Sequence, residues 1–416
     1  MRAPDLHLVH RLKGRHPFGV ILNGQPGRGQ IAFQPDTAPD DDRSAVPARV
    51  MARIDPDNRA AVCPSVHDAQ GHIVTTEPQA VTASLTSSAI FLVLTVNDTE
   101  AATRAVQDLL ADLAGLVRAT GFRRPSGELS CVTGIGARVW GRLFPGPRPR
   151  ELAPFDAIEG VHLAPSTPGD LLFHIRGTAV DMCFELETHI LNRLAGHVVV
   201  IDETPGFRYF DSRDLLGFVD GTENPVGPAR EAAVLIGDED PTFAGGSYVI
   251  TQKYLHDLAK WDAIPTEQQE RIIGRRKLSD VELPDAEKPG YAHNVLNVIE
   301  DEDGNQLDIL RDNMPFGSPA SGAFGTYFIG YARSPSRTIR MLNNMFIGLP
   351  PGNYDRILDV STPVTGTLFF VPPADMLERA GQVAPPSEAA PEPEPAPAPT
   401  PATPAASLGI GSLKGS

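Results

Sequence analysis

SSAIFLVLTVNDTEAATRAVQDLLADLAGLVRATG, Ser87 to Gly121, decides how the rest of the chain is read. Ala89 to Val96 is an unbroken apolar run of strand length with β-branched content. Asp98 or Thr99 then offers a capping side chain, and Ala105, Leu109, Leu113 and Leu116 recur along one face of the segment after it. The spacing predicts a buried strand that passes at once into a long amphipathic helix. AIFLVLTV is also the longest strongly apolar stretch, and it is far short of a membrane span.

Further along, ELSCVTGIG (128–136) and DLLFHIRG (170–177) read as two more strands. TAVDMCFELETHILNRLAG (178–196) reads as a second helix with a Gly stop, and HVVVIDETPGFRYF (197–210) as a long closing strand. That order, β-α-β-β-α-β, is a ferredoxin-like unit. A similar order returns with insertions: GSYVITQKYL as a strand, helical segments over 255–264 and PTEQQERIIGRRKL, GTYFIGYAR as a strand, SPSRTIRMLNNMFIG as a helix capped by Ser334 or Ser336, and GTLFFVPP as the last strand. The expected fold class is therefore α+β, with two ferredoxin-like units over 76–195 and 196–378 packed as one. The long polar insertions between regular elements are where a site is expected.

Outside this core the composition changes. Residues 1–75 are rich in Pro, Gly, Asp and Arg, with PDTAPDDDR as their plainest stretch, and are expected to be a disordered extension. Residues 379–406 form a Pro/Ala-rich linker of extended character. The chain has 416 residues, 41% of them apolar, with 52 acidic against 36 basic residues and a formal charge of −16. That balance argues against a nucleic-acid partner. MRAPDLHLVHRLKGRH lacks the apolar centre of a signal peptide and a twin-arginine pair. Cys63, Cys131 and Cys183 are too scattered for a disulfide framework. The expectation is a cytoplasmic protein with reduced thiols and no membrane association.

Four stretches carry residues with chemical potential. LLGFVDGTENP (215–225) delivers Asp220 from an apolar run into a Gly turn; a plain turn explains it, and so does an acid or base of raised pKa. YAHNVLNV holds His293 in what reads as an apolar strand. It has no second ligand at zinc spacing, but a single axial histidine is what a haem iron requires. No CxxCH motif occurs, so any haem would be held non-covalently. ILRDNMPFGS presents Arg311, Asp312 and Asn313, good turn chemistry and also donors for developing negative charge. In GNYDRILDVST either Asp355 or Asp359 could orient an imidazole N–H or cap a helix.

Together these stretches resemble the dye-decolourising peroxidases, of the bacterial class B type, over about residues 77–375. GFVDGTENP resembles the family's signature loop, and the histidine of YAHN, RDNMPFG and GTYFIGYAR follow in type and order. The resemblance implies a pair of ferredoxin-like units binding one haem b per chain. His293 would be the proximal iron ligand and Asp355 would accept its other ring N–H. Asp220, Arg311 and Asn313 would line the distal face, where Asp220 moves a proton between peroxide oxygens and Arg311 stabilises the leaving oxygen. Hydrogen peroxide and small organic reductants such as dyes or phenols are the implied substrates, and a homo-oligomer, dimer or hexamer, the implied assembly. Trp140, Trp261, Tyr209 and Tyr291 are available as electron relays or as ordinary aromatic packing. A haem-handling, iron-releasing protein and a non-catalytic ferredoxin-like binding module are the competing readings.

SLGIGSLKGS, residues 407–416, resembles the cargo-loading peptide of proteins packaged in encapsulin shells. Leu408, Ile410 and Leu413 would fill shallow pockets on the shell, and Gly409 and Gly411 would let the backbone lie close. The resemblance implies an encapsulin shell protein as partner and an encapsulin nanocompartment as location.

Overall fold

The computed structural model describes residues 76–382 and two short strands before them, Val66–His67 and Ile73–Val74. Most of the expected extension over 1–75, the linker beyond residue 382 and the terminal peptide with Leu408, Ile410 and Leu413 lie outside the described residues.

The opening stretch folds as its pattern dictates. Strand β1 (Ser88–Val96) leads within three residues to helix α1 (Glu100–Gly121). Thr99 is the cap: its hydroxyl accepts from the Ala102 N–H, satisfying one of the free donors of the first turn. The buried face of α1 is Ala102, Val106, Leu109, Leu110 and Leu113, with Ala105 and Leu116 at its half-buried margin. Each fully buried Val or Leu there contributes roughly 1.5–3 kcal/mol. Strands β2 (Ser130–Gly136) and β3 (Leu171–Gly177), helix α2 (Val180–Arg193) and strand β4 (Val198–Phe207) complete the first half. β4 pairs antiparallel along the whole of β1, so it belongs to the first half, and the division expected at 195/196 falls before it.

The second half repeats the scheme. Strand β5 (Ser247–His256) is followed by β6 (Leu310–Arg311), β7 (Met314–Ser318), β8 (Ala323–Ala332), helix α3 (Pro335–Phe346), the short β9 (Ser361–Pro363) and β10 (Thr367–Val371). Ser334 caps α3 by accepting from the Ser336 N–H. All these strands form one ten-stranded antiparallel sheet whose main path runs β6-β8-β5-β10-β2-β3-β1-β4. Along this path each half reads 2-3-1-4 in the same sense, and they meet where the last strand of the second half, β10, pairs with β2 of the first. This is the expected pair of ferredoxin-like units joined edge to edge.

The sheet then wraps back on itself. Phe91 of β1 stacks on Tyr327 of β8 with centroids 4.1 Å apart, although the strands are far apart in sheet order. Gly206 of β4 has no room for a side chain, because a Cβ there would come within 2.7 Å of Met314 on β7. One apolar cluster fills the concave face (Phe91, Val93, Val132, Val249, Ile329, Phe369), and a larger one lies between the convex face and the helices. Trp140 and Trp261 are both buried with their indole N–H groups satisfied by Pro147 O and Leu216 O. Cys131 and Cys183 are free thiols that burial pushes up to about 12. No helix among the described residues is long and apolar enough to cross a membrane.

Candidate active site

The connection from β5 to β6, residues 257–309, holds the short helices Leu258–Asp262, Thr266–Ile273 and His293–Leu296. His293 therefore opens a single helical turn; it does not lie in a strand, as its apolar surroundings suggest. Beneath this connection lies a cavity of about 920 Å³, open to solvent at its mouth. Its walls are largely apolar, with Leu216, Phe218, Phe328, Met341, Leu342 and Ile357 among them.

On one side, His293 lines the cavity and its Nδ1 lies 2.6 Å from Asp355 Oδ2. Asp355 is fully buried and begins a 3-10 turn, its other oxygen accepting from the Ile357 N–H at 3.0 Å. The imidazole is thus held in one orientation with its second nitrogen left for the cavity. Burial disfavours the charged ring, but the charge of Asp355 and its hydrogen bond outweigh that, so the His293 pKa is raised. Asp359, the other candidate partner, is engaged elsewhere, by His162 at 3.1 Å and by the Tyr354 hydroxyl at 3.0 Å.

The opposite group comes from two segments. β6 and β7 both pair with β8, and the ladder breaks at Asp312–Asn313. In the break, the Asn313 side-chain oxygen accepts from the Ile329 N–H at 3.1 Å. That fixes its amide so that Nδ2 donates to Asp220 at 3.1 Å. Arg311 and Asn313 both reach the cavity, while the Asp312 carboxylate is taken up by buried Arg176 of β3 at 2.8 Å. The Arg311 Nε is buried without a hydrogen-bond partner among the described residues.

Asn224, which in sequence reads only as the end of a turn, ties these segments together. Its side-chain oxygen accepts from the Arg311 N–H at 2.9 Å and its Nδ2 donates to the Arg311 carbonyl at 2.7 Å, imitating a strand partner. The Asp220 loop is also fastened from below: Trp261 donates to Leu216 O at 2.9 Å, and Arg213 donates to Gly217 O at 2.9 Å and to Lys277 O at 2.6 Å. Gly217 sits at φ +92°, a conformation that glycine adopts without strain. Asp214 is a further carboxyl lining the cavity, pushed up to about 7 by burial and by the charge of Asp220. In the sequence it is only one acid among 52.

An imidazole braced by a buried carboxylate, sharing an apolar cavity with a permanent cation and an acid, is an arrangement suited to a flat apolar group with a metal at its centre. Among the described residues no three or more His, Cys, Asp or Glu side chains gather to hold a metal ion by themselves. Comparison with known proteins agrees in kind. The chain matches the model of the N-terminal part of Dyp-type peroxidases over residues 78–208 and that of the C-terminal part over 211–376. The chain belongs to the Dyp-type peroxidase family. It is 57% identical over 340 residues to the dye-decolorizing peroxidase of Rhodococcus erythropolis, covering 82% of this chain and 97% of that one. It is 54% identical to the dye-decolorizing peroxidase of Mycobacterium tuberculosis, with the same coverage of 82% and 97%. Among solved structures, DypB from Rhodococcus jostii superposes with a TM-score of 0.72 at 54% identity, over 73% of this chain and 98% of that one. Variants of that protein have been solved in complex with haem. The encapsulated DyP-type peroxidase from Mycobacterium smegmatis superposes with a TM-score of 0.71 at 58% identity, over 73% and 98%. The fold and the enzyme class, an oxidoreductase acting on peroxide, follow from this membership.

Proposed function

We propose that the chain is a haem b peroxidase, holding one haem non-covalently, which reduces hydrogen peroxide at the expense of dyes, phenols or other one-electron donors. The observation that carries this reading is the 2.6 Å pairing of His293 with buried Asp355 on the wall of an apolar cavity that Asp220, Arg311 and Asn313 also line. His293 would ligate the iron and Asp355 would hold its tautomer and raise its basicity. Haem supplies the redox centre that exchanges electrons with peroxide and with the donors. Asp220, oriented by Asn313, takes a proton from one peroxide oxygen and returns it to the other, which leaves as water. Arg311, whose Nε has no partner among the described residues, would stabilise the charge that develops on the departing oxygen. The absorption spectrum of the purified protein tests this. A Soret band that shifts on one equivalent of peroxide and returns on adding a dye is expected; a haem-supplemented protein without the band, or one whose band ignores peroxide, rejects it.

The same proposal extends to packaging in an encapsulin shell in the cytoplasm through residues 407–416. The similarity of SLGIGSLKGS to a cargo-loading peptide and the encapsulated relative from Mycobacterium smegmatis support it. Leu408, Ile410 and Leu413 would bind the shell wall, and many copies would add avidity. Deletion of 407–416 is expected to abolish co-purification with the shell while activity persists; continued packaging would locate the signal elsewhere.

A further inference from the structure

A second cavity, of about 440 Å³, adjoins the first. Asp220, Arg311 and Asn313 line both, so one layer of side chains forms the wall between them. The rest of its lining includes Phe207, Arg208 and Tyr209, at and beyond the end of β4.

This rim is aromatic and exposed. Phe207 is 38% and Phe210 78% accessible, and both meet Tyr209 edge-on, with centroids 6.4 and 4.4 Å away. Two large apolar rings left in water beside a cavity are a feature of binding surfaces. The backbone presenting them is held in an unfavourable form: Phe210 has φ +43° and Ser212 φ +68°. A bulky aromatic rarely adopts that region, and such strain gathers at functional sites. Hydrogen bonds from Arg213 N to Tyr209 O, at 3.0 Å, and from Asp220 N to Ser212 O, at 2.9 Å, hold the segment against it.

The free charge of the rim is positive. Asp211 is neutralised by Arg213 at 2.9 Å and Asp312 by Arg176 at 2.8 Å, while Asp220 meets only the neutral amide of Asn313 at 3.1 Å, so two guanidinium groups unpaired among the described residues, Arg208 and Arg311, stand against one carboxylate. Arg208 makes only a 3.4 Å bond to the Leu85 carbonyl and has no ion-pair partner among the described residues. Arg311 likewise has no ion-pair partner among them.

We propose that this vestibule is the docking site for aromatic electron donors that carry an acidic group, with the ring stacked against Phe210 and Tyr209 and the anion set against Arg208. A donor seated there is separated from the large cavity only by the shared wall. Each phenolic donor gives up one electron and one proton, so that one peroxide and two phenols yield two phenoxyl radicals and two waters. This inference rests on the peroxidase reading and specifies its donor class.

The test uses the holoenzyme and two probes, anthraquinone-2-sulfonate for binding by equilibrium dialysis and an aminoanthraquinone sulfonate dye as reductant. Phe210→Ala and Arg208→Ala are each expected to raise the dye KM about fivefold or more and to weaken anthraquinone-2-sulfonate binding in proportion. Arg208→Lys is expected to recover most of the loss, and Arg208→Ala to leave the KM for an uncharged phenol within twofold. Unchanged KM and binding in both alanine variants would overturn the docking site. The wild-type spectral response to peroxide alone is read in parallel; if it is absent, the peroxidase reading itself fails and the docking site fails with it.

Discussion

The two halves share a strand order and differ in one connection. In the first half β1 passes to α1 through residues 97–99, and α1 closes down on the sheet with Val106, Leu109, Leu110 and Leu113 buried. In the second half the equivalent path from β5 to β6 takes residues 257–309 and contains three short helices. Where the first half has a packed helix, the second has a cavity walled by β5, β8, α3 and this insertion. Tyr254 and His256 of β5 and Thr326 and Phe328 of β8 face that space, in place of a helix. The lesson is that the same strand order serves both halves, and the half whose connection is not a packed helix has room for a cofactor. The cost is a set of buried polar groups that must be braced, and Asp355, Asn224 and Asn313 do the bracing.

Three experiments would challenge or refine that contrast. The largest effect is expected in the second half: Arg311→Leu should keep haem but slow the reaction with peroxide by about 10²–10³, measured by stopped-flow absorption. Full speed would remove Arg311 from the chemistry. Next, Leu109→Ala under α1 should destabilise the protein by about 2–5 kcal/mol, by denaturant unfolding, with the Soret band unchanged. Met341→Ala, on the cavity wall, should cost less stability and weaken haem retention instead. Similar stability losses with equal haem retention would erase the distinction between a filled and an open half. The smallest effect concerns Glu187, buried on α2 and pushed up to about 7 by burial and by the charge of Glu203. Between the ordinary value of 4.5 and about 7 the folded protein keeps a proton that the unfolded chain has released. Stability is therefore lost as pH rises through that window, by about 1–2 kcal/mol after solvent screening. Glu187→Gln should raise the Tm at pH 8 and leave it unchanged at pH 4; a gain equal at both pH values would refute the assignment.

The fold is largely legible in the sequence because its strands are apolar runs of defined length and two of its three long helices, α1 and α3, carry caps, Thr99 and Ser334, that point to their starts. The element order already makes 197–210 the closing strand of the first unit, and its pairing along β1 agrees; only the range 76–195 stops short of it, at the end of α2. His293 reads as a strand residue because a single helical turn is too short to display a helical period. Asp355 and Asp359 are inseparable in sequence, being four residues apart in one turn; only the fold tells which meets His293. Asn224 is invisible for a related reason: its partners, the Arg311 N–H and carbonyl, are backbone groups distant in the chain. Residue types and spacing supply the candidates, whereas tertiary pairing distinguishes those that face the cavity from those that brace it.

That the second half's cavity holds haem through His293 is tested most directly by His293→Gly, with free imidazole added back to the haem-loaded variant. The expected result is loss of the wild-type Soret spectrum and of its response to peroxide, with imidazole restoring both in part. A glycine variant with the wild-type spectrum and peroxide response, without imidazole, would contradict the assignment of His293 as the iron ligand.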